Sequence, residues 1–134
     1  MGMLEEARRY LIDQGLVEGS TGWSAFIGQM PRTPDKVVGL FRYGGNPPDQ
    51  RDEEGQCEYP GLQVRVRATH EDYAIADAKI CQIGAVLHRS NGLTFDGVHW
   101  PWVEAVASPF PIGPDESGRP ELVENFILAR EMPQ

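Results

Sequence analysis

The sequence predicts an α+β fold: an antiparallel sheet of four to five strands with helices packed on one face, in the order α-β-β-β-α-β-β. Three observations carry this reading. Over 59–69, Leu62, Val64, Val66 and Ala68 alternate with Gln63, Arg65, Arg67 and Thr69, and a period of two sends one set to a core and the other to the opposite sheet face. Directly after it, over 71–89, Tyr73, Ala76, Ile80, Ile83 or Gly84, and Leu87 recur at three- and four-residue steps, the spacing of an amphipathic helix lying on a sheet. The remaining apolar runs are of strand length and are bounded by Gly, Pro and Asp, which punctuate strands rather than extend them.

Taken in order, 3–14 is a short amphipathic helix, with Leu4, Ala7, Leu11 and Ile12 at helical spacing among Glu5, Glu6, Arg8 and Arg9, and Gly15 and Gly19 to end it. The run 23–30 reads as a strand closed by Pro31, and Arg32 to Asp35 as a turn. The run 36–43 is nearly continuous in apolar residues, which indicates burial on both faces or a central place in the sheet. These two strands are expected to pair as an antiparallel hairpin. The segment 44–61, rich in Gly, Pro and charge, reads as a long loop of the kind that is functional in a compact domain. It leads into the strand at 59–68, one face apolar and the other cationic. For the helix that follows, Thr69 or His70 is the expected N-cap, and Ser90-Asn91-Gly92 the stop. In 98–107, alternation is visible but Pro101 directs the strand to an edge or a bulge. The segment 109–120 is a loop whose Asp115-Glu116-Ser117-Gly118 has tight-turn composition. The last strand covers 121–130, with Leu122, Phe126 and Leu128 on one face.

The chain of 134 residues has the size of one domain, and 1–134 is read as a single unit. No apolar run approaches eighteen residues, and no basic, apolar and small-residue signal pattern opens the chain, so a soluble, non-secreted protein without a membrane association is expected. Cys57 and Cys81 are expected as free thiols, with no CxxC or His-rich spacing for a metal. A formal charge of -8 opposes nucleic-acid binding by phosphate neutralisation. Ten of the twelve cations are Arg, a bias suited to planar contacts at protein interfaces.

A search for chemistry finds none of its usual signatures. His70, His88 and His99 stand beside no nucleophile motif, and the Gly44-Gly45-Asn46 turn lacks a phosphate-cradling pattern and precedes no helix. Asp52-Glu53-Glu54 matches a calcium loop in charge alone, and Asp115, Glu116 and Glu121 are better explained by turn chemistry than as an acid pair. Arg65 and Arg67 carry three open readings: pairing across the sheet, projection into a subunit interface, or phosphate binding.

The ordered series Phe26-Ile27-Gly28, Met30-Pro31, Pro34-Asp35, Tyr43-Gly44-Gly45 with Pro47, and 59–67 resembles the tail terminator (tail-completion) proteins of long-tailed bacteriophages. It continues through Tyr73-Ala74 and the helix to Leu87, then Ser108-Pro109-Phe110, Gly113, Asp115, Gly118-Arg119-Pro120 and Asn125-Phe126, and so covers most of the chain. Lys36, Arg42 and Arg51-Asp52 depart from the family's pattern, so the sign of a lumen charge is not carried over. The resemblance implies a structural virion protein without catalytic residues, cofactor or metal. It implies a homo-hexameric ring at the head-proximal end of the tail, formed in the host cytoplasm, which stops polymerisation of the tail tube protein, meets the head-tail connector and lets DNA pass without specific binding. The interface candidates are then Tyr43, Gly44, Gly45 and Tyr59, the Arg65 and Arg67 face, and Asp115 and Arg119. Two alternatives stand beside this reading: a head-completion or neck connector protein, and a small cellular ligand-binding or hydrolytic domain with Trp23, Trp100 and Trp102 lining a pocket.

Overall fold

The computed structural model describes residues 2–47 and 56–132. Two helices, α1 (Met3–Asp13) and α2 (Tyr73–Leu87), cover one side of a sheet of eight strands. The strands are β1 (Ser24–Ile27), β2 (Val37–Asn46), β3 (Gln56–Arg67), β4 (Asn91–Phe95), β5 (Val98–Ala105), β6 (Phe110–Pro114), β7 (Pro120–Leu128) and β8 (Arg130–Met132). The α+β class and the helices on one face hold, but the sheet is larger than expected and mixed.

Both helices end as local chemistry dictates. Glu5 reaches back to accept from the Gly2 N–H at 2.8 Å, which satisfies an otherwise orphaned donor. The cap of α2 is Asp72, whose side chain accepts from the Ile75 N–H, two residues after His70 and three after Thr69, the expected caps. Its far end does not lead into a loop: Arg89 takes a positive φ, and Asn91 already begins β4.

β1 and β2 are parallel, with Ser24 opposite Val37 and Ile27 opposite Leu40; the expected antiparallel hairpin is corrected. Pro31 and Pro34 stiffen the intervening 28–36 segment, which crosses over the sheet rather than turning tightly. Met30 thereby lies against Gly39, where a Cβ would collide with its sulfur. The first half of β2 is buried on both faces as its composition required, Val37, Val38 and Leu40 all being 0% exposed.

β3 is the central strand, antiparallel to β2 on one side and to β7 and then β8 on the other. Its apolar set behaves as the alternation predicted: Leu62, Val64, Val66 and Ala68 are fully buried against Ile80, Ile83 and Leu87 of α2 and Met3, Ala7 and Leu11 of α1. The expected 44–61 loop is strand at both ends, since β2 runs to Asn46 and β3 begins at Gln56. Its remainder, with Arg51, Asp52, Glu53 and Glu54, lies outside the described residues.

β5 is not an edge despite Pro101, because β4 pairs on one side of it and β7 and β8 on the other. The missing proline N–H falls opposite Gly92, where the β4 ladder skips a pair. The 109–120 segment holds β6, an exposed strand joined to β7 by the Asp115-Glu116-Ser117-Gly118 turn. The last run is two strands: β7 ends at Leu128, paired with 61–67 of β3, and after Ala129 β8 continues along the same partner at 56–58.

Candidate assembly surface

The eight interface candidates separate into two ends of the sheet and one residue between them. At one end, the paired ends of β2 and β3 form an arm with a register shift between Tyr43 and Gly45, and β8 holds β3 on its other side at 56–58. The Tyr43 ring lies on Gly61, where an added Cβ would meet it at 2.5 Å, so the side-chain-free position makes room for an aromatic. Gly45 has φ +96, and a Cβ there would stand 2.5 Å from the Tyr59 carbonyl, a conformation and a closeness that only glycine tolerates. Tyr59 stacks on Trp102 of β5, centroids 6.1 Å apart. Tyr43, Gly44, Gly45 and Tyr59 therefore share one structure. The Tyr43 hydroxyl is buried without a hydrogen-bond partner, and burial raises its pKa.

At the opposite end, Arg67, Asp115 and Arg119 form a closed bracket. Arg67 is 3% exposed and donates to the carbonyls of Pro31, Pro34 and Asp35 at 2.6, 2.7 and 3.0 Å. Its planar fork is spent on the crossover segment, so the expectation that it projects from an open cationic face is corrected. Burial lowers its pKa, helped by the nearby charge of Arg119. Arg119, 8% exposed, joins Asp115 at 2.7 Å, Asp35 at 3.1 Å and the Arg32 carbonyl at 2.6 Å. Burial pushes the Asp115 carboxyl up, but hydrogen bonds from the Arg119 backbone and side chain and the Ser117 amide outweigh it and hold it below its usual range.

Arg65 alone of the strand's arginines keeps an accessible head. It lies 4.9 Å over the Phe41 ring and donates to Gln63, whose amide donates to Asn125. This row of half-exposed side chains on β2, β3 and β7 is the open part of the face opposite the helices. The cross-strand reading of Arg65 is thus realised through an aromatic and an amide instead of an acid.

The structure adds surfaces and inner contacts that the sequence reading did not single out. β6 is exposed throughout, with Phe110 42% and Ile112 44% exposed and Val106 beside them at 57%; only the pairing that made it a strand distinguishes this edge from a loop. Inside, Glu6 accepts from the Trp100 indole N–H at 2.9 Å and from Arg130 Nε and Nη2 at 2.8 Å each, while Arg130 Nη1 donates to Glu58 at 2.7 Å. The Glu6 carboxylate raises the Arg130 pKa, against the lowering that burial would give. The three tryptophans line no common pocket: Trp100 is in the core, Trp102 stacks on Tyr59, and Trp23 lies under Lys36 and Lys79. Both cysteines are free, as expected.

Comparison with known proteins places this architecture. A solved chain from the virion of a native gene transfer agent (GTA) particle shares the fold, with a TM-score of 0.61 at 15% identity over 95% of this chain and 90% of that one. No curated protein sequence matches the chain. The profile of the bacteriophage tail terminator proteins matches residues 10–132, from the end of α1 to the last residue of β8. By that match the chain belongs to the bacteriophage tail terminator protein family and is a structural protein of a phage-type virion.

Proposed function

We propose that this protein caps the head-proximal end of a phage tail tube as a homo-hexameric ring, stops addition of tube subunits, and offers its outer side to the head-tail connector. The observation that carries the reading is a match to the tail terminator family over nearly the whole chain, on a fold with surfaces suited to it. A sheet that presents an exposed strand, β6, at one side and a short strand, β1, at the other offers two different edges. Head-to-tail contact between unlike edges generates a closed ring when the rotation per subunit divides a full turn. The β2–β3 arm and the Arg65 row present main chain and an amphipathic surface for a stacked cylinder. The chain's negative charge suits a passage for DNA, because like charge removes the counterion release that makes phosphate binding favourable.

The test is tube length. Purified protein mixed with polymerising tail tube protein should cap growing tubes, so that electron microscopy shows shorter tubes with a terminal ring as its proportion rises. Unchanged length and bare ends at a molar excess would refute the proposal. The Arg65→Ala variant, which changes the open face without touching the core, should need more protein for the same shortening.

A further inference from the structure

Two choices that each oppose stability coincide at one point of the fold. Glu124 sits in the middle of β7 on its apolar side, between Leu122 and Phe126, and is only 5% exposed. Its Oε1 has no hydrogen-bond partner, and a buried carboxyl without one is unfavourable. Directly above it, α2 carries Gly84, where a Cβ would collide with that same oxygen. A glycine inside a helix costs about 1 kcal/mol relative to alanine. Core packing alone would favour alanine over leucine here; instead the helix is thinned so that a carboxyl can stand beneath it. Departures from local consistency of this kind mark functional positions.

The carboxyl opens into a cleft of about 480 Å3 between the second half of α2 and the segment that follows β5, lined by Cys81, Gly84, His88, Ala105, Ser108 and Glu124 among others. The walls are mostly small residues. His88 is already engaged, its Nδ1 accepting from the Ala105 N–H at 2.9 Å, and so holds the cleft wall in place rather than pairing with the acid. The site is thus an apolar recess with one unpaired carboxyl at its floor and open space before it. Such a recess fits a long aliphatic stem with a cationic head, the shape of an arginine or lysine side chain.

We propose that this cleft is a socket for a basic side chain of a different protein that assembles with this one, the guanidinium or ammonium group meeting Glu124. The occupant is assigned to a partner of opposite charge because this chain carries -8, and a second copy would bring the same charge. The socket is bordered by Ala105, Ala107, Ser108 and Pro109, and the exposed Val106 within that segment adds an apolar margin on which the partner's flanking residues can rest. The inference does not depend on which partner the ring reading requires.

Burial raises the Glu124 pKa to about 7, which supplies a second readout. The titratable groups lining the cleft with it are Cys81 on α2 and His88, the residue that caps its C-terminal end; the lining residues from β5 and the 106–109 segment carry no charge. Because the cation binds the ionised acid, affinity should rise about tenfold between pH 6 and pH 8, following the ionised fraction.

The probe is a synthetic tripeptide, acetylated and amidated, with one arginine between two alanines, titrated into the full-length protein and followed by amide NMR. Saturable millimolar shifts at Gly84, Ala105 and Ser108 are expected, with the tenfold pH dependence. They should be absent for the same peptide with citrulline in place of arginine, and at least tenfold weaker in Glu124→Gln. In wild type the Glu124 carboxyl, read by its carbon resonance, should titrate at lower pH when the peptide is present. Equal binding of the citrulline peptide, an unmoved Glu124 titration, or no shifts at saturating peptide would overturn the proposal. So would concentration-dependent self-association, seen by sedimentation without peptide and lost in Glu124→Gln, because it would assign the socket to a second copy.

Discussion

Glu124 governs how stability should depend on pH. An unfolded glutamate ionises near 4.5 and this one near 7, so between those values the folded state holds a proton that the unfolded state has lost. Its contribution is complete below about pH 4.5, falls as pH rises, and levels off above 7, a loss of roughly 3 kcal/mol by linkage. Urea denaturation of Glu124→Gln should therefore decline less steeply from pH 5 to pH 8 than wild type, Glu121, whose carboxyl is also pushed up by burial, keeping part of the slope; parallel profiles would contradict the assignment. Asp115 works in the opposite sense, since its hydrogen bonds hold it ionised and its support is lost only in acid. The alternation around Glu124 was readable, with Leu122 and Phe126 on either side, but its isolation was not. Whether a buried acid has a partner depends on what the facing helix brings, and the facing residue is Gly84, forty positions earlier in the chain.

The β2–β3 arm depends on a conformation rather than on burial. Gly45 occupies φ +96 with a backbone oxygen where a side chain would begin, so Gly45→Ala should cost about 1–3 kcal/mol of local strain. Along 43–46, β2 is paired with β3 alone among the described strands, so the loss should stay local. Hydrogen exchange should accelerate at Tyr43 and Tyr59 while the amides of Val64 and Val66 keep their protection; uniform acceleration would mean that the arm is integral to the core. Composition hid this element: Gly, Pro and charge read as loop, because propensity measures what a segment does alone and a ladder partner can override it. The same override moved β1. Apolar runs separated by prolines suggested a hairpin, yet Arg67 and Arg119 collect the carbonyls of 31–35 and hold the segment across the sheet, which leaves β1 parallel to β2.

The molecule as a whole is tied together by the Glu6, Arg130, Glu58 and Trp100 contacts, which join α1, β8, β3 and β5. Glu6 is 0% exposed, and removing its charged partner leaves an uncompensated buried carboxylate. Arg130→Met should lower the free energy of unfolding by about 3–5 kcal/mol, whereas replacing both Glu6 and Arg130 by apolar residues of similar volume should restore much of it. Chemical denaturation of the single and double variants decides this, and a double variant no better than the single would show that the pair contributes more than its own charge balance. The same contacts bring Glu6 and Arg130, 124 positions apart in the chain, into direct hydrogen bonding.

What the sequence determined by itself was the local pattern: the period of two in β3, the helical period of α2, the turn at Asp115 and the ordered motifs that resemble the tail terminator family. Each of these depends on residues within one or two turns of chain, where sterics and hydrophobic alternation act directly. The tertiary structure alone decided which arginines stay accessible, how many strands pair, and which acid is left without a partner. Arg65 and Arg67 are two positions apart with the same side chain, yet one lies over Phe41 at the surface and the other is sealed beneath 31–35. The difference comes from what distant segments fold over each, because charge pairing and desolvation act through space rather than along the chain.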